Sequence, residues 1–358
     1  MECPQSVYHS KTEKIMRNFI YNNIQGITIC TALPTEKAEK NESKKSVAVF
    51  EQTTSDLGFS AAQEIITSKE IDVNEIGALI FLTKTPDYRG PATAMVLQNR
   101  LEIPKNCIVY DSPTGNAGFE SGLNLGASLL NSITQNYALI VFGDTISKQL
   151  NKEDISELPF QDGATAILLE KGEANSPVSM STLALSEKWT SFMLPSGGFR
   201  KNDTFFNQLS SKRENQTAEH LHLDAQKVYD SIQPELSSIK NKIGTLISNS
   251  DNTDIAIIIN LMTPALENEL QSLLKSEDYA KDVFLSSEHI TQTMASTVPL
   301  MIEKIAFEKK KSPIQIISVS LGEGLCINVS SLEINKSSVL ETINSDEFYD
   351  NGYVTHEM

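Results

Sequence analysis

The 358-residue chain is poor in cysteine and has a single tryptophan. Cys3, Cys30, Cys107 and Cys326 are scattered, and no two lie close enough for a CxxC pair. That spacing excludes a small disulfide-held scaffold and points to reduced thiols, as in a cytoplasmic protein. Positive charge is also short: 30 Lys and Arg stand against 46 Asp and Glu, a formal net charge of −16. An acidic surface argues against nucleic acid and anionic membranes as partners. No apolar run approaches the ~20 residues that cross a bilayer. Residues 1–18 are polar and have no apolar core, so no signal peptide is expected. No metal-ligand spacing occurs, and Gly322-x-Gly324 alone is too weak to be a phosphate loop.

What is present suits a soluble globular chain, 40% hydrophobic and 21% charged, long enough for two domains or one fused pair. Residues 1–19 read as a loose or weakly helical leader and 35–46 as a polar loop. Short apolar strands are expected at 27–30, 76–83 (IGALIFLT), 107–111 (CIVYD), 137–143 (YALIVFG) and 164–169. Helices are expected around 57–66, 91–101 and 117–132, the first capped by Thr53, Thr54 or Ser55. Strands without polar alternation, separated by helices, predict a parallel sheet covered on both faces. The pattern recurs as a strand at 255–259 (IAIII), helices from Pro264 and over 295–308, and strands at 314–319 and 325–329. Two halves, 20–172 and 173–335, therefore suggest a duplicated α/β fold. Residues 201–216 read as a polar surface excursion and 336–358 as an acidic tail that wraps the body or lacks order.

The segment Asp111-Ser-Pro-Thr-Gly-Asn116-Ala-Gly-Phe119 joins a buried strand to a helix. Such an elbow places one side chain at a helix N-terminus, where free N–H groups stabilise negative charge. Glycines at 118, 122 and 126 share one helix face, which predicts close approach of another backbone.

In order and spacing, several landmarks resemble β-ketoacyl-acyl-carrier-protein synthase III of the thiolase superfamily. They are Ser55-Asp-Leu57, Thr85-Pro-Asp-Tyr88, Pro91-Ala-Thr-Ala94, the elbow, and Phe160-Gln-Asp-Gly-Ala164. Further along come Leu194-Pro-Ser-Gly-Gly-Phe-Arg200, Ala295-Ser-Thr-Val-Pro299 and Gly322-Glu-Gly-Leu325. The resemblance covers roughly 25–332. It implies a duplicated thiolase fold, five-layered αβαβα, and a dimer. In the family the elbow residue is a cysteine whose thiolate attacks an acyl thioester, while a histidine and an asparagine bind the thioester oxygen. A glycine-loop amide completes the oxyanion hole.

Here Asn116 holds the cysteine's position, Asn260 or Leu261 the histidine's, and Gln292 falls near the asparagine's. The oxyanion loop reads Gly322-Glu323-Gly324, and a carboxylate there disfavours anionic intermediates. Three bland readings stand beside these. Asn116 is a good N-cap. Cys107, about 13 Å from its strand end at ~3.3 Å per residue, and Cys326 suit packed core thiols. His289 could approach the pocket or sit on the surface. Arg89-Gly90-Pro91 stands where a family phenylalanine closes the partner's acyl pocket, so Gly90 opens that pocket or simply suits the turn. The family's CoA-contacting residues fall in 36–52, which diverges, so no CoA site transfers.

Two functions follow from the resemblance. One is a non-catalytic subunit, as a homodimer or paired with an active synthase III-like protein, shaping its acyl pocket. The other is an active acyltransferase with a rearranged site. No tightly bound cofactor is expected; coenzyme A or acyl-carrier-protein thioesters are the ligands the family implies, with acyl carrier protein as a further partner. The Lys-rich loop faces such a carrier or is simply solvated.

Overall fold

The computed structural model describes residues 16–35, 45–150, 160–173, 177–195, 220–249, 254–275, 277 and 282–350. The excursion expected at 201–216, most of the 35–46 loop, and the ends of the leader and tail lie outside these residues.

Elements follow in chain order as β1 (Arg17–Tyr21), β2 (Ile24–Pro34), α1 (Thr54–Ser68), β3 (Ile76–Leu82), α2 (Thr93–Arg100), β4 (Ile108–Ser112), α3 (Gly118–Leu130), β5 (Tyr137–Asp144) and β6 (Gly163–Lys171). Then come β7 (Val178–Ala184), β8 (Phe192–Met193), β9 (His222–Leu223), α4 (Ala225–Ile232), α5 (Leu236–Ser248), β10 (Ile255–Asn260) and α6 (Pro264–Leu274). The chain closes with β11 (Val283–Leu285), α7 (Ser286–His289), α8 (Thr297–Glu308), β12 (Ile314–Gly322), β13 (Cys326–Ile334) and β14 (Ile343–Ser345).

Two six-stranded sheets form, in the orders β14-β2-β6-β5-β3-β4 and β1-β7-β13-β12-β10-β11. Removing the first strand of each leaves the same arrangement twice: β3 parallel to its neighbours β4 and β5, as β10 is to β11 and β12. The remaining pairings are antiparallel. The sheets are thus mixed, which corrects the expected all-parallel sheet. Continuous apolar runs report burial on two faces, and an antiparallel strand buried on both sides reads alike.

The side-chain alternation shows the layers. Leu79 and Phe81 point outward to Leu57, Ile65 and Leu97 of α1 and α2. Ile80 and Leu82 point inward to Phe119, Leu123, Val298 and Ile302, so α3 and α8 lie between the sheets. Ile257 and Ile259 face Ile239, Ile243, Leu266 and Leu270 on the far side. Five layers, αβαβα, result, as the fold class predicted. Each fully buried Leu, Ile or Phe contributes about 1.5–3 kcal/mol. The glycine stripe of α3 faces side chains rather than a backbone: a methyl at Gly122 or Gly126 would strike Ile140 at 2.8 or 2.4 Å.

Two terminal segments cross over. Residues 17–21, of which 17–19 were expected in the leader, form β1 against β7 of the second sheet. The described part of the tail runs back over the first half, with β14 parallel to β2. Beyond it, Arg100 bonds Asp56 at 2.7 Å and lies against the rings of Phe59 and Tyr349 at 4.4 and 4.8 Å. Tail residues up to 350 therefore wrap the body. Among the described residues no helix is long and apolar enough to cross a membrane.

Candidate functional site

The C-terminal ends of β4, β10, β11 and β12 converge, and each continues into a loop that carries a candidate residue. Three of these loops contain a non-glycine residue at positive φ: Met262 at 63°, Met294 at 49° and Leu325 at 53°. Such backbone is held only where surrounding contacts dictate it, and it clusters at functional sites. Gly324, at 69°, completes the β12–β13 hairpin.

These loops bring Asn116, Asn260 and Gln292 together in one buried chain of hydrogen bonds. Asn116 Nδ2 donates to the Leu321 carbonyl at 2.5 Å, and its Oδ1 accepts from Asn260 Nδ2 at 3.4 Å. Ser286 Oγ lies 3.1 Å from Asn260 Oδ1 and 2.8 Å from Glu267 Oε1, and accepts from Gln292 Nε2 at 2.8 Å. Thr297 Oγ1 donates to Gln292 Oε1 at 3.1 Å. Asn116 is not the cap of α3: its side chain turns to the second half of the molecule, and the cap position, Ala117, has no side-chain bond. That removes the N-cap explanation for an asparagine here.

Glu267 anchors the far end. It accepts from Leu261 N and Ser287 N, each at 3.1 Å, and from Ser287 Oγ at 2.6 Å. Burial pushes its carboxyl above the usual range, and the surrounding hydroxyl and amide donors partly oppose that. Sequence reasoning missed both Glu267 and Ser286. The only sequence signal for Glu267 is a carboxylate in the first turn of a Pro-started helix beside the strand end.

Glu323 covers the elbow. Its Oε1 is 3.3 Å from the Asn116 backbone nitrogen, and a methyl at Gly115 would fall 2.1 Å from the same oxygen, so a side chain there would displace the Glu323 carboxylate. Cys326 is close by: a methyl at Gly322 would meet its Sγ at 2.7 Å and Ala117 Cβ at 2.8 Å. Burial, then the Glu323 charge, push the Cys326 thiol up to about 11. Burial takes Cys107 to about 11 and Cys30 to about 12. His289 does not reach the chain of amides; its Nδ1 is 3.4 Å from Lys304 Nζ, and its ring packs near Phe284.

A second carboxylate, missed in the sequence, ends β5. Asp144 Oδ1 accepts from Lys84 N at 2.6 Å, Thr83 Oγ1 at 3.0 Å and Thr85 N at 3.1 Å. Burial pushes its carboxyl up to about 7. Thr83, Lys84 and Thr85 also line an open cleft of about 570 Å³, together with Tyr88, Arg89 and Pro113. Arg89 thus faces the cleft beside the elbow. Gly90 has open space where a side chain would stand and no positive φ, so nothing among the described residues requires glycine there.

The layered duplicate fold with loops converging on a central-helix elbow defines a thiolase-like architecture. Residues 110–185 match the family described as 3-oxoacyl-[acyl-carrier-protein (ACP)] synthase III. The chain is 27% identical over 288 residues to the β-ketoacyl-[acyl-carrier-protein] synthase III of Rickettsia bellii, covering 79% of this chain and 85% of that one. It superposes on the 3-oxoacyl-(acyl-carrier protein) synthase of Burkholderia xenovorans with a TM-score of 0.80 and 21% identity, covering 93% of this chain and 100% of that one. The priming β-ketosynthase of the R1128 polyketide pathway gives a TM-score of 0.69 at 14% identity, covering 87% and 97%. The chain is thus similar to synthase III proteins over most of its length and shares their fold.

Proposed function

We propose that the chain is a non-catalytic synthase III-like subunit that pairs with an active condensing enzyme and shapes its acyl pocket, in fatty-acid, polyketide or related acyl metabolism. The observation that carries this reading is the state of Asn116. A carboxamide is not a nucleophile, and this one is spent on Leu321 O and Asn260 while Glu323 holds its backbone N–H. A carboxylate at that position opposes both a thiolate and an oxyanion. The described thiols are held protonated at neutral pH, so they offer no ready replacement.

Pairing, with a second copy or with an active synthase III-like protein, is supported by β4. It is an edge strand of its sheet, and Ile108 on it is 38% exposed. Bare edges invite another chain. Arg89 and Gly90 project from the cleft rim, where they would reach an adjoining acyl pocket. Coenzyme A and acyl-carrier-protein thioesters are the ligands such a pair would handle, with acyl carrier protein as the delivering partner. An active acyltransferase is the competing reading, favoured by one observation: Asp144, bonded behind the Thr83–Thr85 wall of the cleft, has its carboxyl pushed up to about 7 by burial, in the range of a general acid or base.

Intact-protein mass after incubation with acyl-CoA tests both. An unmodified chain that co-purifies with a cysteine-bearing homologue and alters its acyl preference is expected. Acylation or thioester turnover by the isolated chain would overturn the non-catalytic reading.

A further inference from the structure

The cleft of about 570 Å³ beside the elbow gathers three cations from a chain whose formal net charge is −16. Lys84 and Arg89 come from the loop after β3, and Lys148 from the turn after β5. Thr53, Thr85 and Thr145 line the same walls. A saturated acyl chain laid over these groups would strip water from charge without replacing it. Cations that face one cleft instead concentrate an anion there.

The walls are fixed from behind. Asp144 Oδ1 holds the backbone N–H groups of Lys84 and Thr85. Thr85 Oγ1 accepts from Thr145 N at 2.9 Å and lies 2.8 Å from Thr54 Oγ1. Lys148 Nζ donates to the Phe50 carbonyl at 3.1 Å and the Gln52 carbonyl at 2.5 Å, and an ammonium carries a third N–H. The acidic groups around the cleft have donors of their own. Asp87, itself in the lining, accepts from Ser55 Oγ at 2.5 Å and Ser55 N at 3.3 Å. Asp162 accepts from Ser147 N and Ala48 N, each at 2.8 Å, and Asp56 is paired with Arg100. Glu323 is turned to the Asn116 amide, and the stem of Lys84 passes beside it, with Cγ 3.0 Å from where a methyl at Gly115 would stand.

The donors point to the kind of anion. Phosphate sites are commonly built from successive backbone N–H groups. Here the N–H groups of Lys84, Thr85 and Thr145 serve Asp144 and Thr85, so recognition falls to side chains. A guanidinium fork flanked by ammonium groups matches a planar carboxylate. Pro113 and Leu194 supply apolar wall for a short run of methylenes. We propose that the cleft binds an acyl group that ends in a carboxylate, the half-thioester of a short dicarboxylic acid. The proposal rests on the reading above that the chain handles acyl thioesters. Lys84 and Arg89 then determine specificity, selecting a charged acyl end over an alkyl one.

Isothermal titration calorimetry of the full chain at neutral pH and constant ionic strength tests this, with monomethyl glutarate as the probe. Its methyl ester stands in for the thioester and leaves one carboxylate. Saturable binding is expected, weakened at least about tenfold in Lys84→Gln and in Arg89→Gln. Binding should persist in Lys84→Arg, and in Lys275→Gln at the exposed end of α6. Dimethyl glutarate, uncharged and otherwise alike, should not bind. Failure of the half-ester to bind, equal binding of the diester, or Gln variants that bind like the parent would overturn the proposal. Tighter binding of inorganic phosphate through the same residues would overturn the carboxylate assignment. Half-ester binding by a chain that neither pairs nor turns over thioesters would uphold the cleft and refute only the reading on which it rests.

Discussion

Glu323 Oε1 lies 3.3 Å from the backbone nitrogen of Asn116, so a carboxylate from the β12–β13 hairpin occupies the amide that opens α3. Two departures from a thiolate site therefore sit on one another. The carboxamide gives up nucleophilicity, and the carboxylate gives up the positive field that would restore it. Restoring one residue leaves the other in place.

Asn116→Cys alone is therefore expected to stay unacylated, while Asn116→Cys combined with Glu323→Gly reacts at least about tenfold faster. Each pKa unit removed from a thiol raises its thiolate fraction about tenfold at neutral pH. Intact mass against time with acyl-CoA measures both. Equal rates for the single and double variants would show that Glu323 does not control the elbow.

Stability should fall as pH rises from about 4 to about 7. Glu120 and Asp144 each carry a folded-state carboxyl pushed up to about 7, chiefly by burial. An unfolded carboxyl titrates near 4, so through this window the folded chain binds more protons, and raising the pH favours unfolding. The loss is on the order of a few kcal/mol for each group and levels off above the folded pKa. Urea midpoints at pH 5, 6, 7 and 8 give the slope. Glu120→Gln and Asp144→Asn should each flatten it and gain stability over the parent at pH 8; a flat parent profile would contradict the assignment.

Glu267→Ala should cost about 3 kcal/mol, because the Leu261 and Ser287 N–H groups and the Ser287 hydroxyl all lose an acceptor in the interior. Calorimetric unfolding checks the magnitude. Glu267→Gln, which keeps an acceptor oxygen, should recover part of the loss. A change below about 0.5 kcal/mol would mean that water takes over the site.

Arg100→Ala should cost about 3 kcal/mol, since it strands Asp56, whose side chain is 2% exposed beside it. Truncation after Thr342 should cost less, because Asp56 keeps its arginine, although the β14–β2 pairing, the Gln52 bonds to Ser345 and Glu347 and the contacts of Glu347 and Tyr349 all go. Chemical denaturation of the two variants ranks them. The reverse order would place the stabilising contribution in β14 rather than in the ion pair.

Much of the fold was legible where local pattern and final environment agree. The runs at 76–83 and 255–259 read as buried strands and became β3 and β10. β1 was not legible, because RNFIY is short, half-exposed and paired with residues far along the chain. The same holds for β7, whose Ser and Thr residues face other polar side chains between strands. At the site, Asn116, Asn260 and Gln292 could be picked out by position. Glu267 and Ser286 could not, because their roles rest on contacts to loops of other strands. Glu120 left a trace, a lone carboxylate on the apolar face that also carries Phe119, Leu123 and Ala127. Nothing local showed that Ser318 and Ser320 would bond it.

The amino-acid sequence alone determined the layered α/β class, the strand-to-helix elbow and the absence of a nucleophile at residue 116, since hydrophobic period and side-chain chemistry are local properties. Only the tertiary structure decided that Glu323 would sit on the Asn116 amide, that Asn260, Ser286 and Glu267 would lock its carboxamide, and that Ser318 and Ser320 would bond the Glu120 carboxyl. Those relationships join residues about 150 to 210 positions apart, whose proximity is set by how two sheets pack on a shared pair of helices.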